Sequence, residues 1–232
     1  MNKRTIVLIA DSPVLNTTVI KPFQNMSSQY SVYLHSLLLS NWIEILDEIR
    51  ENTDLIILLS EDDGEFIPKN FIPENFKIIF YSGYTIDKSG KELLTQKLSA
   101  NTKTLILFHN SIGIKLDDFE RIFNLTQSEE SSIVLLKSKT NRIIGACLYE
   151  PDKLLINSLL KSDRNYKDYL NLISSQDVFI HTLEGFLSID DFEDIKKLYI
   201  ELSKKESLSY CSQKMHESFN DLFVEYKEKL NE

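Results

Sequence analysis

Short, continuous runs of apolar residues recur along the chain, and most are rich in branched aliphatic side chains. A run without alternating polar positions is typical of a strand that is buried on both faces, as in a parallel sheet covered by helices. Five segments fit this pattern: Thr5–Ala10, Asp54–Ser60, Lys77–Tyr81, Thr104–Phe108 and Ser132–Lys137. We therefore expect these five strands to lie in one sheet that is mostly parallel.

Segments with the apolar spacing of helices separate these strands. The longest covers Ser27–Asn52, and another lies around Lys88–Ala100. Strands that alternate with helices predict right-handed crossovers and an α/β fold of three layers, with helices on both sides of the sheet. Ser132–Lys137 and Arg142–Tyr149 are joined by a short polar turn, which predicts a hairpin and hence a small antiparallel part.

The last third of the chain predicts one more strand at Val178–His181, a helix at Ile189–Lys204 and a final helix at Ser207–Leu230. We expect residues 1–203 to form one α/β domain and residues 204–232 to form a helical extension. The final helix carries Tyr210, Phe219, Leu222, Phe223 and Tyr226. Side chains this apolar predict that the helix docks on its own domain or on a second copy of the chain, as a homo-oligomer.

Composition narrows the classes of function. A net charge of −9 over 232 residues opposes binding to nucleic acid or to anionic membranes. Six glycines argue against a glycine-rich phosphate loop, and the two distant cysteines argue against a zinc site. The apolar runs are too short to span a bilayer, and the N-terminus lacks the features of a signal peptide, which together predict a cytoplasmic protein.

Short motifs with polar residues follow two of the predicted strands and begin the last helix of the domain. They are Ala10, Asp11, Ser12, Pro13 and Lys21 after the first strand, His109, Asn110 and Ser111 after the fourth, and Asp190 at the helix start. Ligands of α/β proteins bind at the carboxyl ends of the strands. By position alone, His109 and Asn110 are therefore candidates for a ligand site at that edge of the sheet.

The order of these motifs resembles the glycosyltransferase-A-like nucleotide-diphospho-sugar transferases of the MobA type. Within that family, it is most similar to a branch of short bacterial domains of unknown function. The resemblance is one of layout and covers roughly residues 5–202, with Ile144-Gly145 as a further match. It implies that the loop after the first strand wraps a nucleotide or nucleotide sugar. Ala10, Asp11, Ser12, Pro13 and Lys21 would be its nucleotide-binding residues.

The resemblance also implies a diphosphate and metal region formed by His109, Asn110, Ser111 and Asp190. The family places a carboxylate at the position of Asn110, where it helps to hold Mg²⁺ or Mn²⁺ against the donor diphosphate. An amide coordinates a cation but does not neutralise its charge, whereas hard cations prefer carboxylate oxygens. The sequence therefore predicts weak or no binding of Mg²⁺ or Mn²⁺. His109 has a purely structural reading beside the functional one.

Several features have alternative interpretations. Lys137, Lys139 and Arg142 would neutralise a diphosphate in place of a metal, or would simply belong to a solvated hairpin. Ser188 would cap the following helix, whose first turn is acidic. Asp62-Asp63-Gly64 is interpreted as a solvated turn.

Two hypotheses about function remain. The first is an enzyme that transfers a sugar or a nucleotidyl group from a nucleotide-diphosphate donor, with a metal site that has lost its acids. The second is a non-catalytic relative that keeps the fold as a binding or assembly module. The retained layout supports common descent, and the absence of the family's carboxylates at the positions of Asn110 and Gly113 favours the second hypothesis.

Overall fold

In this computed structural model, residues 3–10, 12–49, 51–82, 102–126, 132–149 and 153–230 are described. They form one sheet whose strand order is β3-β2-β1-β4-β7-β6-β8-β5. The strands are β1 (Lys3–Ile9), β2 (Thr53–Ser60), β3 (Phe76–Tyr81), β4 (Thr102–Phe108), β5 (Ser111–Ile112), β6 (Ser132–Ser138), β7 (Ile143–Tyr149) and β8 (Phe179–Ser188).

Most of these strands run in the same direction. β3, β2, β1 and β4 are parallel neighbours, and β6 pairs in parallel with β8. Only β7 and the short β5 run the other way among the described strands, because β7 pairs antiparallel with both β4 and β6 and β5 pairs antiparallel with β8. The predicted sheet with a small antiparallel part is confirmed.

Helices connect the strands and follow the last one. The α-helices are α1 (Ser28–Glu48), α2 (Leu116–Leu125), α3 (Lys153–Lys161), α4 (Tyr166–Ile173), α5 (Phe192–Leu202), α6 (Gln213–Glu225) and α7 (Lys227–Leu230), with short 3₁₀ helices at Glu61–Phe66 and Lys205–Ser209. The predicted helix around 88–100 lies outside the described residues. None of the described helices combines the length and apolar character needed to cross a membrane.

Two hydrophobic cores lie between the three layers, one on each face of the sheet. On one face of the sheet, α1 and α2 contribute Trp42, Leu46, Phe119 and Ile122 to the first core. On the other face, α3 and α4 pack on the sheet to form the second core, in which Tyr169 is fully buried. The continuous apolar strands are therefore covered on both sides, which is why they lack alternating polar positions.

The predicted elements near residue 180 are wrong in their boundaries. The last strand is not the short Val178–His181 but the ten-residue β8, in which polar residues such as Thr182 and Glu184 obscure the apolar pattern. The following helix begins at Phe192, and its N-cap is Asp191, whose side chain accepts the N–H of Asp194 at 2.9 Å. Ser188 is therefore not the cap, because it is still part of the strand.

The C-terminal segment is three short helices rather than the single predicted one. The 3₁₀ helix, α6 and α7 follow one another, and the Ser212 side chain caps α6 by accepting the N–H of Met215. Their apolar side chains join α1 and α5 in a third core, where Tyr210 and Phe219 are buried. The expected docking on the domain is observed within this chain. A homo-oligomer through this segment stays a prediction, and it would have to use the outer face, where Val224 is exposed.

Candidate functional site

The carboxyl ends of β4 and β8 bring together two residues that are 80 positions apart in the chain. Asn110 follows β4, and its amide donates to Asp190 Oδ1 at 2.9 Å and to the Ile189 carbonyl at 3.2 Å. The backbone holds the same pair, because the Ile189 N–H donates to the Asn110 carbonyl at 2.8 Å. The two ends therefore form one polar cluster at the predicted edge of the sheet.

A guanidinium that the sequence did not point to lies at the centre of this cluster. Arg164 donates to Asn110 Oδ1 at 2.6 Å and to Asp190 Oδ1 at 2.9 Å. Its guanidinium carbon also lies 4.9 Å from the centroid of the Phe108 ring. The Arg164 side chain is only 10% exposed, so this cation is fixed within the protein.

The backbone around Arg164 is held in an unusual conformation. Asp163 and Arg164 both have positive φ angles, 47° and 59°, which non-glycine residues adopt rarely. The turn is fixed by the Ile143 N–H, which donates to the Arg164 carbonyl at 2.7 Å, and by a bridge between Arg142 and Asn165. Such strain persists only where the surroundings enforce it, and it is common at functional sites.

Asp190 shares its charge among several partners. Besides Arg164 and Asn110, it accepts the Ser188 hydroxyl at 2.5 Å, and its Oδ2 lies 3.7 Å from the Arg142 Nε. Arg142 is about one third exposed, and its Nη1 lies 3.6 Å from the carboxylate of Asp163, which is almost fully exposed. Arg142 is thus the cation of this cluster that an incoming ligand can reach.

The other two cations near the hairpin have carboxylate partners. Lys137 pairs with Glu184 at 2.6 Å, and Lys139 pairs with Glu201 at 3.0 Å. Of the three positive residues proposed to neutralise a diphosphate, only Arg142 approaches Asp190. The lysine pairings favour the structural reading for those two residues.

His109 is buried under this edge rather than exposed on it. Its Nε2 lies 2.9 Å from Nδ1 of His35, and His109 Nδ1 has no hydrogen-bond partner among the described residues. Burial, with a smaller contribution from the nearby Arg164 charge, lowers the pKa of His109 to about 3. The ring is therefore neutral at physiological pH. The neighbouring Ser111 hydroxyl donates to the Phe108 carbonyl at 2.6 Å, so it is used within the turn.

The loop after β1 is held by the turn after β2. The Asp63 carboxylate accepts the backbone N–H groups of Val14, Leu15 and Asn16, at 3.0, 2.7 and 3.2 Å to Oδ1, and Val14 also reaches Oδ2 at 3.0 Å. Asp63 is fully buried, so the prediction of a solvated turn at Asp62-Asp63-Gly64 is wrong for this residue. Burial raises the pKa of the Asp63 carboxyl, while the three N–H groups act in the opposite direction.

The predicted nucleotide-binding residues differ in their accessibility. Ala10 is buried, and its carbonyl accepts the Tyr81 hydroxyl at 2.8 Å. Pro13 is buried, Ser12 is partly exposed and Lys21 is exposed, while Asp11 lies outside the described residues. Lys21 and Ser12 are therefore the described members of the set whose side chains solvent reaches.

The donor set at Asn110 and Asp190 does not fit the divalent metal that the resemblance implies. The Arg164 guanidinium already donates hydrogen bonds to Asn110 Oδ1 and Asp190 Oδ1. A metal ion at these oxygens would be repelled by the fixed positive charge of the guanidinium. Within the part of the chain that the structure describes, no group of three His, Cys, Asp or Glu side chains could hold a metal ion.

Arg164 and Asp63 are the two residues that sequence reasoning missed. Arg164 lies in a polar turn between two helices, and Asp63 lies in an acidic turn. Both local patterns are those of solvated loops. A weak signal was available only for Asp63, because three successive acids after a buried strand provide a candidate for binding a neighbouring loop.

Comparison with known proteins rests on structure alone. No protein-family model matches the chain, and no curated protein matches it by sequence. A candidate nucleotide-diphospho-sugar transferase from Desulfovibrio desulfuricans G20 superposes with a TM-score of 0.70 at 11% identity, covering 100% of this chain and 98% of the other. The fold is that of the nucleotide-diphospho-sugar transferases. Membership of the MobA-type family, and of any branch within it, stays a prediction.

Two further structures share this fold. The 4-diphosphocytidyl-2C-methyl-D-erythritol synthase of Anaerococcus prevotii has a TM-score of 0.56 at 14% identity, covering 88% of this chain and 99% of its own. A Mycobacterium tuberculosis H37Rv protein solved as a manganese complex has a TM-score of 0.54 at 11% identity, covering 85% and 97%. At these identities the likeness establishes the fold and leaves the chemistry to the residues of this chain.

Proposed function

We propose that this chain is a transferase-like protein of the nucleotide-diphospho-sugar class in which a guanidinium takes the place of the divalent metal. The observation that carries the proposal is the position of Arg164 between Asn110 and Asp190. In transfer from a nucleotide diphosphate, a cation offsets the charge that develops on the leaving diphosphate. A fixed arginine provides such a charge without metal, although with less charge than a divalent ion.

The ligand of this site would be a nucleoside diphosphate or a nucleotide sugar, held through its phosphates. Arg164 donates to both Asn110 and Asp190, so it would supply the fixed charge of the site rather than the first contact with the ligand. Arg142 is more exposed, and its partner Asp163 is an exposed carboxylate whose attraction is screened by water. A ligand phosphate can replace that carboxylate and pair with Arg142, whose Nη1 stays anchored by donating to the Asp163 backbone carbonyl at 2.6 Å.

The test is calorimetric titration of the intact protein with a panel of nucleoside diphosphates and nucleotide sugars, in EDTA or in Mn²⁺. We expect binding that is equally strong in both, and Arg142→Ala should weaken it about tenfold, or roughly 1.4 kcal/mol. Arg121→Ala removes a more exposed arginine, on α2, and is the control for loss of one positive charge. Binding that requires Mn²⁺, or that survives Arg142→Ala unchanged, contradicts the proposal.

A second candidate is the non-catalytic binding or assembly module, and one observation favours it. The N–H groups of the loop after β1 are bonded to Asp63 and are therefore not offered to a ligand. The two candidates differ in turnover. Release of nucleoside diphosphate from a nucleotide sugar in EDTA, lost in Arg142→Ala, supports the enzyme, and binding without release supports the module.

A further inference from the structure

Most of β8 lies at the outer edge of the sheet and has a neighbouring strand on one side only. β6 pairs with it regularly over residues 179–184, whereas β5 pairs only with its last two residues, Leu187 and Ser188. Among the described residues, no strand pairs with the outer side of residues 179–184, which we call the open edge. It is about 20 Å long, enough to pair with a strand of ordinary length.

The open edge lacks the residues that commonly prevent a sheet edge from pairing with another chain. Lysine and proline have this role in many proteins. β8 contains neither, whereas β3 at the opposite end of the sheet carries the exposed Lys77. The open edge begins instead with Phe179 and Ile180, which are 60% and 40% exposed. It therefore combines exposed apolar side chains with a side of the backbone that no described strand uses.

The charge of the open edge allows a second copy of this chain to approach it. The whole chain carries a net charge of −9, which makes copies of the chain repel one another. Residues 179–183 include no Asp, Glu, Lys or Arg, and the Glu184 carboxylate is neutralised by Lys137 at 2.6 Å. Two copies that meet at this edge therefore bring no unpaired like charges of the strand together.

We propose that the open edge pairs with the open edge of a second copy of this chain, so that the two β8 strands are antiparallel. A two-fold axis makes this contact closed, because each copy uses the same residues. The pairing gives the outer backbone groups of both strands their partners and removes Phe179 and Ile180 from water. The carboxyl edges of the joined sheets then point in opposite directions, so the two clusters around Asp190 do not face each other.

The experiment is sedimentation of the full-length protein at several concentrations, combined with hydrogen exchange of its backbone amides. We expect the mass of two chains at high concentration, with slower exchange in residues 179–184 as the dimer forms. Phe179→Lys should raise the dissociation constant of the dimer at least about tenfold, because each dimer then buries two added charges. Val224→Lys is the matched control, since Val224 is 62% exposed on α6, and it should dimerise as wild type does.

A protein that is monomeric at every concentration overturns the proposal, as does a dimer whose amides in residues 179–184 exchange as fast as in the monomer. A dimer that Val224→Lys disrupts and Phe179→Lys leaves intact uses the C-terminal segment, which also contradicts it. If Phe179→Lys fails to fold, the hydrogen exchange of the wild-type protein decides. The experiment contains no nucleotide, so its result is independent of the ligand site at Arg142.

Discussion

Buried polar side chains at the carboxyl edge are compensated in different ways. Arg164 has two oxygen partners and an aromatic face, and Asp63 has three backbone donors. At His109, the Nδ1 atom has no partner among the described residues and a guanidinium lies nearby. Only the neutral imidazole is compatible with that environment, since protonation would add a second buried positive charge.

The burial of His109 predicts an acid-sensitive fold. Folding lowers its pKa from the ordinary value of 6.5 to about 3, so between these values the unfolded chain binds a proton that the folded chain does not. Above pH 6.5 this group does not change the free energy of unfolding. As the pH falls from 6.5 towards 3, the free energy of unfolding decreases by about 1.4 kcal/mol per pH unit.

The measurement is urea denaturation of wild type and of His109→Gln across this pH range. The variant lacks the titrating group, so its free energy of unfolding should fall less steeply with acid. Equal pH dependence of the two proteins would show that His109 is not the group responsible.

At the scale of elements, the central position of β7 depends on close packing at one glycine. β7 lies between β4 and β6, and it is antiparallel to both. A Cβ atom at Gly145 would lie 2.7 Å from the Ile106 carbonyl oxygen, 2.8 Å from Leu107 Cδ2 and 3.0 Å from Leu136 Cδ1. The first contact is with the backbone of the neighbouring strand, which cannot move away by a rotamer change.

Gly145→Ala should therefore destabilise the sheet by about 1–3 kcal/mol through overpacking. Gly64→Ala is the control, because its added Cβ would meet only the Phe80 ring at 3.7 Å, an ordinary contact distance. We expect the control to change stability by no more than about 0.5 kcal/mol. Thermal and urea denaturation of both variants measure the difference, and equal stabilities would refute the packing argument.

At the scale of the whole molecule, the C-terminal segment completes a third core against α1. The Asn41 amide donates to the Tyr210 carbonyl at 3.2 Å, and Ser212 donates to the Glu44 carboxylate at 2.7 Å. Phe219 is fully buried there, and its ring stacks on that of Phe223 with centroids 6.2 Å apart. The C-terminal segment is therefore attached to the sheet domain through α1.

Phe219→Ala should lower the free energy of unfolding of the entire protein by about 3–5 kcal/mol, because it creates a cavity in this core. Val224→Ala, on the exposed face of the same helix, should change it by no more than about 0.5 kcal/mol. Denaturation monitored by Trp42 fluorescence reports on the α1 side of the domain. If Phe219→Ala leaves the unfolding transition seen by Trp42 fluorescence the same as in wild type, the C-terminal segment unfolds separately from the domain.

The sequence by itself determined the layers of this protein. The runs Thr5–Ala10 and Thr104–Phe108 are strands because their composition is apolar over a short continuous stretch, and this property is local. The helical spacing of apolar residues around Trp42 is likewise a property of one segment, and it predicts α1 without any distant contact. β8 was underestimated because its pairing with β6 carries it through polar residues such as Glu184, and pairing of this kind is not visible in one segment.

Only the tertiary structure decided the chemistry of the edge. Arg164 meets Asn110 across 54 residues, and Asp63 meets Val14 across 49, and both arise from turns whose local sequence is typical of solvated loops. Charged side chains in such turns stay in water unless distant groups provide enough hydrogen bonds to offset dehydration. Whether those partners exist depends on which strand ends the sheet brings together, and strand order is a long-range property that hydrophobic periodicity does not encode.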